Sequence, residues 1–162
     1  MAAPYVELGA RSAFSFLEAA SQPEALAERA AALGYPALAL LDVDGVYGAA
    51  RFYKAATEAG VRPLVGAALT LGDGARLPVL VETAEGYRNL CRLVTRVKFR
   101  AAKGKARARL DDLEGATGGL VCLTGGLDGP LAADLLAGRC EAARRTLDRL
   151  CGLFGRGFRL PR

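Results

Sequence analysis

Short apolar runs alternate along the chain with stretches whose apolar residues recur at helical spacing. Tyr5 to Leu8 reads as a strand, and Ser12 to Ala20 as a connection whose Phe14, Phe16 and Leu17 should pack inward. Ser21-Gln22-Pro23-Glu24 then has the spacing of a capping box, with Pro23 at a position where its missing N–H costs nothing. Leu26, Ala30 and Leu33 fall on one face of the helix that follows, and Gly34 is placed to end it. Ala37 to Leu41 is apolar throughout, the mark of a buried parallel strand, and it runs straight into Asp42-Val43-Asp44-Gly45. Tyr47 to Ala59 predicts a helix with Ala49, Phe52 and Ala56 on its inner side, stopped by Gly60. Leu64 to Leu71 and Leu77 to Val81 predict two strands joined by the turn Gly72-Asp73-Gly74.

The second half repeats the alternation. From about Glu85 to Val97 the spacing of Tyr87, Leu90, Cys91, Val94 and Val97 predicts a helix with a buried stripe, which leaves Arg88, Arg92 and Arg96 on its outer face. Ala101 to Arg109 lacks apolar periodicity and reads as a mobile basic loop. Gly119 to Leu123 is a further buried strand, closed by Thr124-Gly125-Gly126. Helical patterns follow at about Leu131 to Ala137 and Glu141 to Leu153, the latter with Leu147, Leu150, Cys151 and Phe154 facing inward. Strands and helices in alternation, with one hairpin, predict an α/β layer or barrel-like arrangement.

Composition narrows the chemistry. The 162 residues are 52% hydrophobic and 24% charged, which suits one domain with a real core. No apolar run is long enough for a membrane span, and the start lacks the pattern of a secretory signal, so a cytoplasmic protein is expected. Histidine is absent, which excludes histidine acid–base catalysis, Ser-His-Asp triads and histidine-ligated metals within these residues. The thiols Cys91, Cys122, Cys140 and Cys151 form no CxxC pair and read as reduced core residues.

The net charge of +5 is concentrated in one segment. Arg88, Arg92, Arg96, Lys98, Arg100, Lys103, Lys105, Arg107 and Arg109 follow one another with no intervening acid, while acids outnumber bases in the rest of the chain. Such a segment fits a solvated helix face plus loop, or proximity to a nucleic-acid backbone. Only Tyr87 and Phe99 interleave it, so base stacking has little support in the sequence. Asp42 and Asp44, directly after a buried strand, are the best-placed carboxylates; they suit either a weak cation site or the satisfaction of turn amides. Gly125-Gly126 with Asp128-Gly129-Pro130 could cradle a phosphate but lacks the Lys-Ser/Thr of a P-loop, which favours a plain turn.

Five ordered blocks carry a resemblance. They are Tyr5 to Leu17, Gly34 to Gly48, Arg62 to Leu69, Glu85 to Thr95 and Leu120 to Gly125. Together they resemble the PHP (polymerase and histidinol phosphatase) domain in the form found at the N-terminus of bacterial C-family DNA polymerases, with the error-prone branch nearest and the replicative alpha subunit a close neighbour. The resemblance implies a distorted βα barrel of seven strands. It makes residues 1–155 an incomplete barrel with an exposed edge, and 156–162 a tail in which the pattern of a further strand is lost.

Active members of that family bind divalent metals such as zinc or manganese at the barrel mouth. The corresponding positions here are Gly9, Arg11, Asp42, Val43 and Ala68, of which only Asp42 keeps a ligand type. Further family ligands, and the polymerase carboxylates, belong to sequence beyond residue 162. Glycine, valine and alanine side chains have no lone pair to donate. A fixed guanidinium about 4 Å from a divalent ion opposes it by about 4 kcal/mol per unit of ion charge at an effective dielectric near 20. Arg11 is therefore expected to neutralise Asp42 or Asp44 in place of a metal. The resemblance implies a non-catalytic structural or partner-binding module of a replication or translesion-repair polymerase, working with the rest of that polymerase or its subunits, in possible contact with DNA and away from membranes. The alternatives are a metal-dependent phosphoesterase or 3′–5′ exonuclease, and a non-specific DNA-binding module.

Overall fold

The computed structural model describes residues 5–155 and 158–159. The chain divides into two compact units, residues 1–67 and 68–162. The first holds strand β1 (Glu7–Ala10), helix α1 (Pro23–Ala32), strand β2 (Ala37–Val43), helix α2 (Ala49–Glu58) and the larger part of strand β3 (Arg62–Thr70). β1 and β2 pair in parallel, Glu7 opposite Leu38 and Ala10 opposite Leu40, with an irregularity between those positions. Within the irregularity the Glu7 carboxylate accepts the Gly9 N–H at 2.6 Å. The strand therefore starts two residues later than the apolar run suggests.

α1 opens on Pro23, which makes Gln22 the N-cap and leaves Ser21 one residue too early to cap. The expected capping box is absent for that reason. The Ser21 carbonyl instead accepts the Ala13 N–H, and Glu24 turns to Arg51 on α2, held at 2.6 and 2.8 Å. Pro23, Ala27 and Ala30 form the buried face, while Leu33 caps the helix and stays half exposed. Small side chains there let α1 close on α2, and Leu38, Leu40, Phe52, Ala56 and Val61 complete the core of this unit. Phe14, Phe16 and Leu17 do not pack inward as expected. Phe16 and Leu17 are 82% and 90% exposed at the tip of a turn, and Leu17 adopts a left-handed backbone (φ 64°) that carries both outward.

The second unit contains the end of β3, then β4 (Arg76–Val81), α3 (Ala84–Phe99), β5 (Leu120–Leu123), α4 (Ala132–Leu136), α5 (Cys140–Phe154) and β6 (Phe158–Arg159). The turn between β3 and β4 closes as expected, with the Asp73 side chain accepting the Ala75 N–H and Gly74 in the left-handed region. β4 pairs antiparallel with β5, and β5 in parallel with β6. β6 falls in the stretch where the sequence pattern suggests no strand; the rest of the expected tail lies outside the described residues.

α3 buries Gly86, Leu90, Leu93 and Val97, a stripe rotated from the one the spacing suggests, so Tyr87 is left 40% exposed. Gly86 sets the rotation, because it packs against the Gly119 carbonyl with no room for a side chain. α5 buries Ala143, Leu150 and Phe154. Cys151 falls one position beyond Leu150 and faces out, and Cys140, at the start of α5, is also exposed. Of the four thiols only Cys122 is fully in the core; Cys91 is partly buried.

Candidate functional site

β2 delivers Asp42 to the end of the first unit's core, where its carboxylate is only 1% exposed. The connection after β1 folds over it. The Ser12 N–H donates to Oδ1 at 2.7 Å, the Ser12 hydroxyl lies 2.9 and 2.8 Å from the two carboxylate oxygens, and the Ser15 hydroxyl donates to Oδ1 at 2.8 Å. A hydroxyl has one proton, so the two Ser12 approaches are a single shared donation. Each serine oxygen in turn accepts a backbone N–H, Ser12 from Phe14 and Ser15 from Val43. No buried side-chain nitrogen or oxygen among the described residues lacks a partner. Gly48 closes the remaining side, since a side-chain carbon there would sit 2.8 Å from Asp42 Oδ2.

Arg11 pairs with Glu18 at 2.8 Å, a partner the sequence reading did not weigh. The partners of Asp42 are Ser12 and Ser15, which corrects the Asp42 half of the expectation that Arg11 neutralises Asp42 or Asp44. The reason is reach: two hydroxyls and an amide lie directly over the carboxylate, and the partly exposed guanidinium has an exposed acid seven residues along. Asp44 adopts a left-handed backbone (φ 51°) in the turn before α2. The Asp42 carboxylate does satisfy a loop amide, but the amide is Ser12's rather than one in its own turn. Ser12, Ser15 and Gly48 are the residues that sequence reasoning missed. The available signal was two hydroxyls three residues apart, directly after a strand that pairs with the strand carrying the aspartate.

This donor set does not fit a divalent metal. Gly9 and the side chains of Val43 and Ala68 offer no lone pair, Arg11 carries a positive charge, and three protein donors already converge on the Asp42 carboxylate. Among the described residues no three His, Cys, Asp or Glu side chains gather where they could hold an ion. Nor do Ser12 and Ser15 suit nucleophilic chemistry, since both are buried and no substrate atom could reach them.

The basic segment lies in the second unit, and parts of it are bonded to the rest of that unit. Arg88, Arg92 and Arg96 do lie on the exposed face of α3. Arg100 makes a two-pronged ion pair with Asp112, at 2.5 and 2.6 Å, and is therefore not available to a ligand. Those bonds hold the Asp112 carboxyl below the usual carboxylate range and raise the Arg100 guanidinium, with the Arg109 N–H on the same carboxylate adding to the first effect. Arg96 donates to the Asp112 carbonyl at 2.8 Å. Ala108 is buried, bridges Leu71 in parallel and donates its N–H to Thr70. The alternation Lys105-Ala106-Arg107-Ala108-Arg109 explains this: the alanines turn inward and the three bases outward, as in a strand. Lys103 is exposed as well, and Lys98 partly so. The Gly125 to Pro130 segment is a backbone-bonded turn leading into a helix of only five residues, in accord with the plain-turn reading.

With the fold and the aspartate pocket defined, the class follows. The family model for the PHP domain matches residues 7–160, and the chain belongs to that family. It is 46% identical to the error-prone DNA polymerase of Mycolicibacterium paratuberculosis over 94% of this chain and 15% of that protein. The error-prone DNA polymerase of Anaeromyxobacter dehalogenans is 40% identical over 91% of this chain and 14% of its own length. The chain thus spans about 15% of the length of the curated relatives it matches. The solved structure of an amidohydrolase from Chromobacterium violaceum, with bound sulfate and no metal, shares the fold at a TM-score of 0.55 and 18% identity, covering 85% of this chain and 74% of its own. The α/β elements are those of a partial PHP-type βα barrel. No helix among the described residues is long and apolar enough to cross a membrane.

Proposed function

We propose that this chain is the PHP portion of an error-prone type of bacterial C-family DNA polymerase and serves it as a non-catalytic structural or partner-binding module in replication or translesion repair. The observation that carries the reading is the Asp42 pocket. The one residue that keeps a family ligand type is buried and held by three donors from Ser12 and Ser15, and the matching positions Gly9, Arg11, Val43 and Ala68 cannot replace it. Its partners are then the rest of the polymerase and its replication or repair subunits, and its location is the cytoplasm. Titration calorimetry with zinc and with manganese, alongside hydrolysis of single-stranded DNA, tests the loss of metal chemistry. The expected result is no stoichiometric binding and no turnover. Tight binding with hydrolysis that disappears in Asp42→Asn overturns the reading in favour of a metal-dependent phosphoesterase or exonuclease. Polymerase sequence in the reading frame downstream of Arg162 supports the parentage; an immediate stop removes it.

A further inference from the structure

Phe99 is 88% exposed, yet it stands between Lys98 and Arg100 at the C-terminal end of α3, in the most basic part of the chain. Arg96 and Arg100 are tied to Asp112, and Arg100 also reaches the Arg107 carbonyl at 3.3 Å, which holds the extended 105–109 segment to the end of the helix. Phe99 is thus a large aromatic ring open to solvent in a basic stretch of the chain. It has what an unpaired base needs, an exposed flat face in a basic stretch of the chain.

The charges around it are spaced for a phosphate chain. Arg88 and Arg92 stand four residues apart on a helix, about 6 Å along its axis. Lys105, Arg107 and Arg109 stand two apart on an extended segment, about 6.6 Å. No carboxylate among the described residues pairs with Arg88, Arg92, Lys103, Lys105 or Arg109. We propose that the end of α3 and the 103–109 segment bind single-stranded DNA, with Phe99 stacking on a base and Arg92, Lys103, Lys105 and Arg109 holding phosphates. The choice of DNA rests on the polymerase reading above; the preference for a single strand rests on Phe99 alone, because a paired base has no free face.

The chain contains no tryptophan, so Phe99→Trp places a lone reporter at the stacking position. The test is fluorescence anisotropy of labelled oligothymidine and of a duplex of equal length with the 162-residue protein, between 50 and 200 mM salt, a range over which phosphate contacts lose roughly tenfold or more in affinity. The single strand should bind more tightly than the duplex and should quench the Phe99→Trp emission. Phe99→Ala should weaken oligothymidine binding by about tenfold and leave duplex binding unchanged. Arg92→Gln with Lys105→Gln should lower the salt slope by roughly 0.7 for each lost phosphate contact. The proposal is overturned by duplex preference, by an unaffected Phe99→Ala, or by polyglutamate competing as well as oligothymidine, which would mark an acidic protein surface as the partner. None of these outcomes touches the metal-binding test of the Asp42 pocket, so the two readings fail separately.

Discussion

Replacing Asp42 by alanine tests whether the carboxylate is now a structural element. The substitution removes the acceptor for three donors, the Ser12 N–H and the hydroxyls of Ser12 and Ser15, in a pocket where both serines are no more than 1% exposed. A buried donor left without a partner costs about 1–3 kcal/mol. Relief from burying the carboxylate, and rotation of the two hydroxyls, offset part of the total. The net expectation is a loss of about 3–5 kcal/mol, a large fraction of the roughly 5–15 kcal/mol that holds a domain together.

Asp42→Asn keeps one acceptor oxygen for the Ser12 amide and Ser15, and lets the Ser12 hydroxyl turn to accept from the new amide group, so it should cost less than half as much. The assay is urea unfolding followed by circular dichroism, with slopes compared to confirm that the exposed surface is unchanged. A cycle pairing Asp42→Ala with Ser12→Ala should return a coupling of about 1 kcal/mol or more, as residues sharing one network do. Repeating the wild-type curve in millimolar manganese should not move its midpoint, because an ion that binds only the folded state would raise it. If Asp42→Ala costs under about 1 kcal/mol, or stabilises the protein, the clamp argument fails and the aspartate is retained for another reason.

Three further outcomes follow from other parts of the molecule. Leu17→Gly should stabilise the protein by up to about 1 kcal/mol in the same urea assay, since it relieves a left-handed backbone at a side chain with almost no packing to lose. Asp112 is held below the ordinary carboxylate range first by Arg100 and then by the Arg109 amide. Its contribution is therefore complete above the unfolded pKa, near 4, and is lost as pH falls through the lower folded value. In acid titrations the stability difference between wild type and Asp112→Asn should shrink toward zero. Burial, with a smaller effect from Cys151, pushes the Cys122 thiol up to about 12, so maleimide should label Cys140 and Cys151 in the native protein and reach Cys122 only after unfolding.

The strands and helices were legible because their signals are local. The Ala37 to Leu41 run and the Ala49, Phe52 and Ala56 stripe each need no more than a window of ten residues, and both appear where the pattern puts them. The misplaced cap at Ser21 and the exposed Phe16 and Leu17 are local errors; the others arose where a contact distant in sequence sets the geometry. The α3 stripe turns because Gly86 meets Gly119, and the bridge at Ala108 forms because that residue reaches Thr70. In the second case the Lys-Ala-Arg-Ala-Arg alternation was a visible strand signal, hidden because alanine is a weak apolar marker beside so much charge.

The pocket shows the same division in a sharper form. Which side chains cannot hold a metal is a matter of residue type, and Gly9, Val43 and Ala68 declare it without any structure. What occupies the remaining carboxylate is a matter of distance, and charge arithmetic favoured the guanidinium of Arg11 over neutral hydroxyls. Geometry reverses that preference. A buried carboxylate needs several donors converging within about 3 Å, and one connection supplies Ser12 and Ser15 with a backbone amide between two paired strands. A guanidinium brought into the same pocket would have to shed water that it keeps beside Glu18, and the cost of desolvating it would offset much of the Coulombic gain. Arg11→Gln, which removes the charge, should therefore cost less than about 1 kcal/mol, whereas Ser15→Ala should lower stability by about 1–3 kcal/mol by taking one donor from Asp42 and the acceptor from the Val43 N–H. An equal or larger loss from Arg11→Gln in the urea assay would show that charge, and not donor geometry, holds this end of the strand.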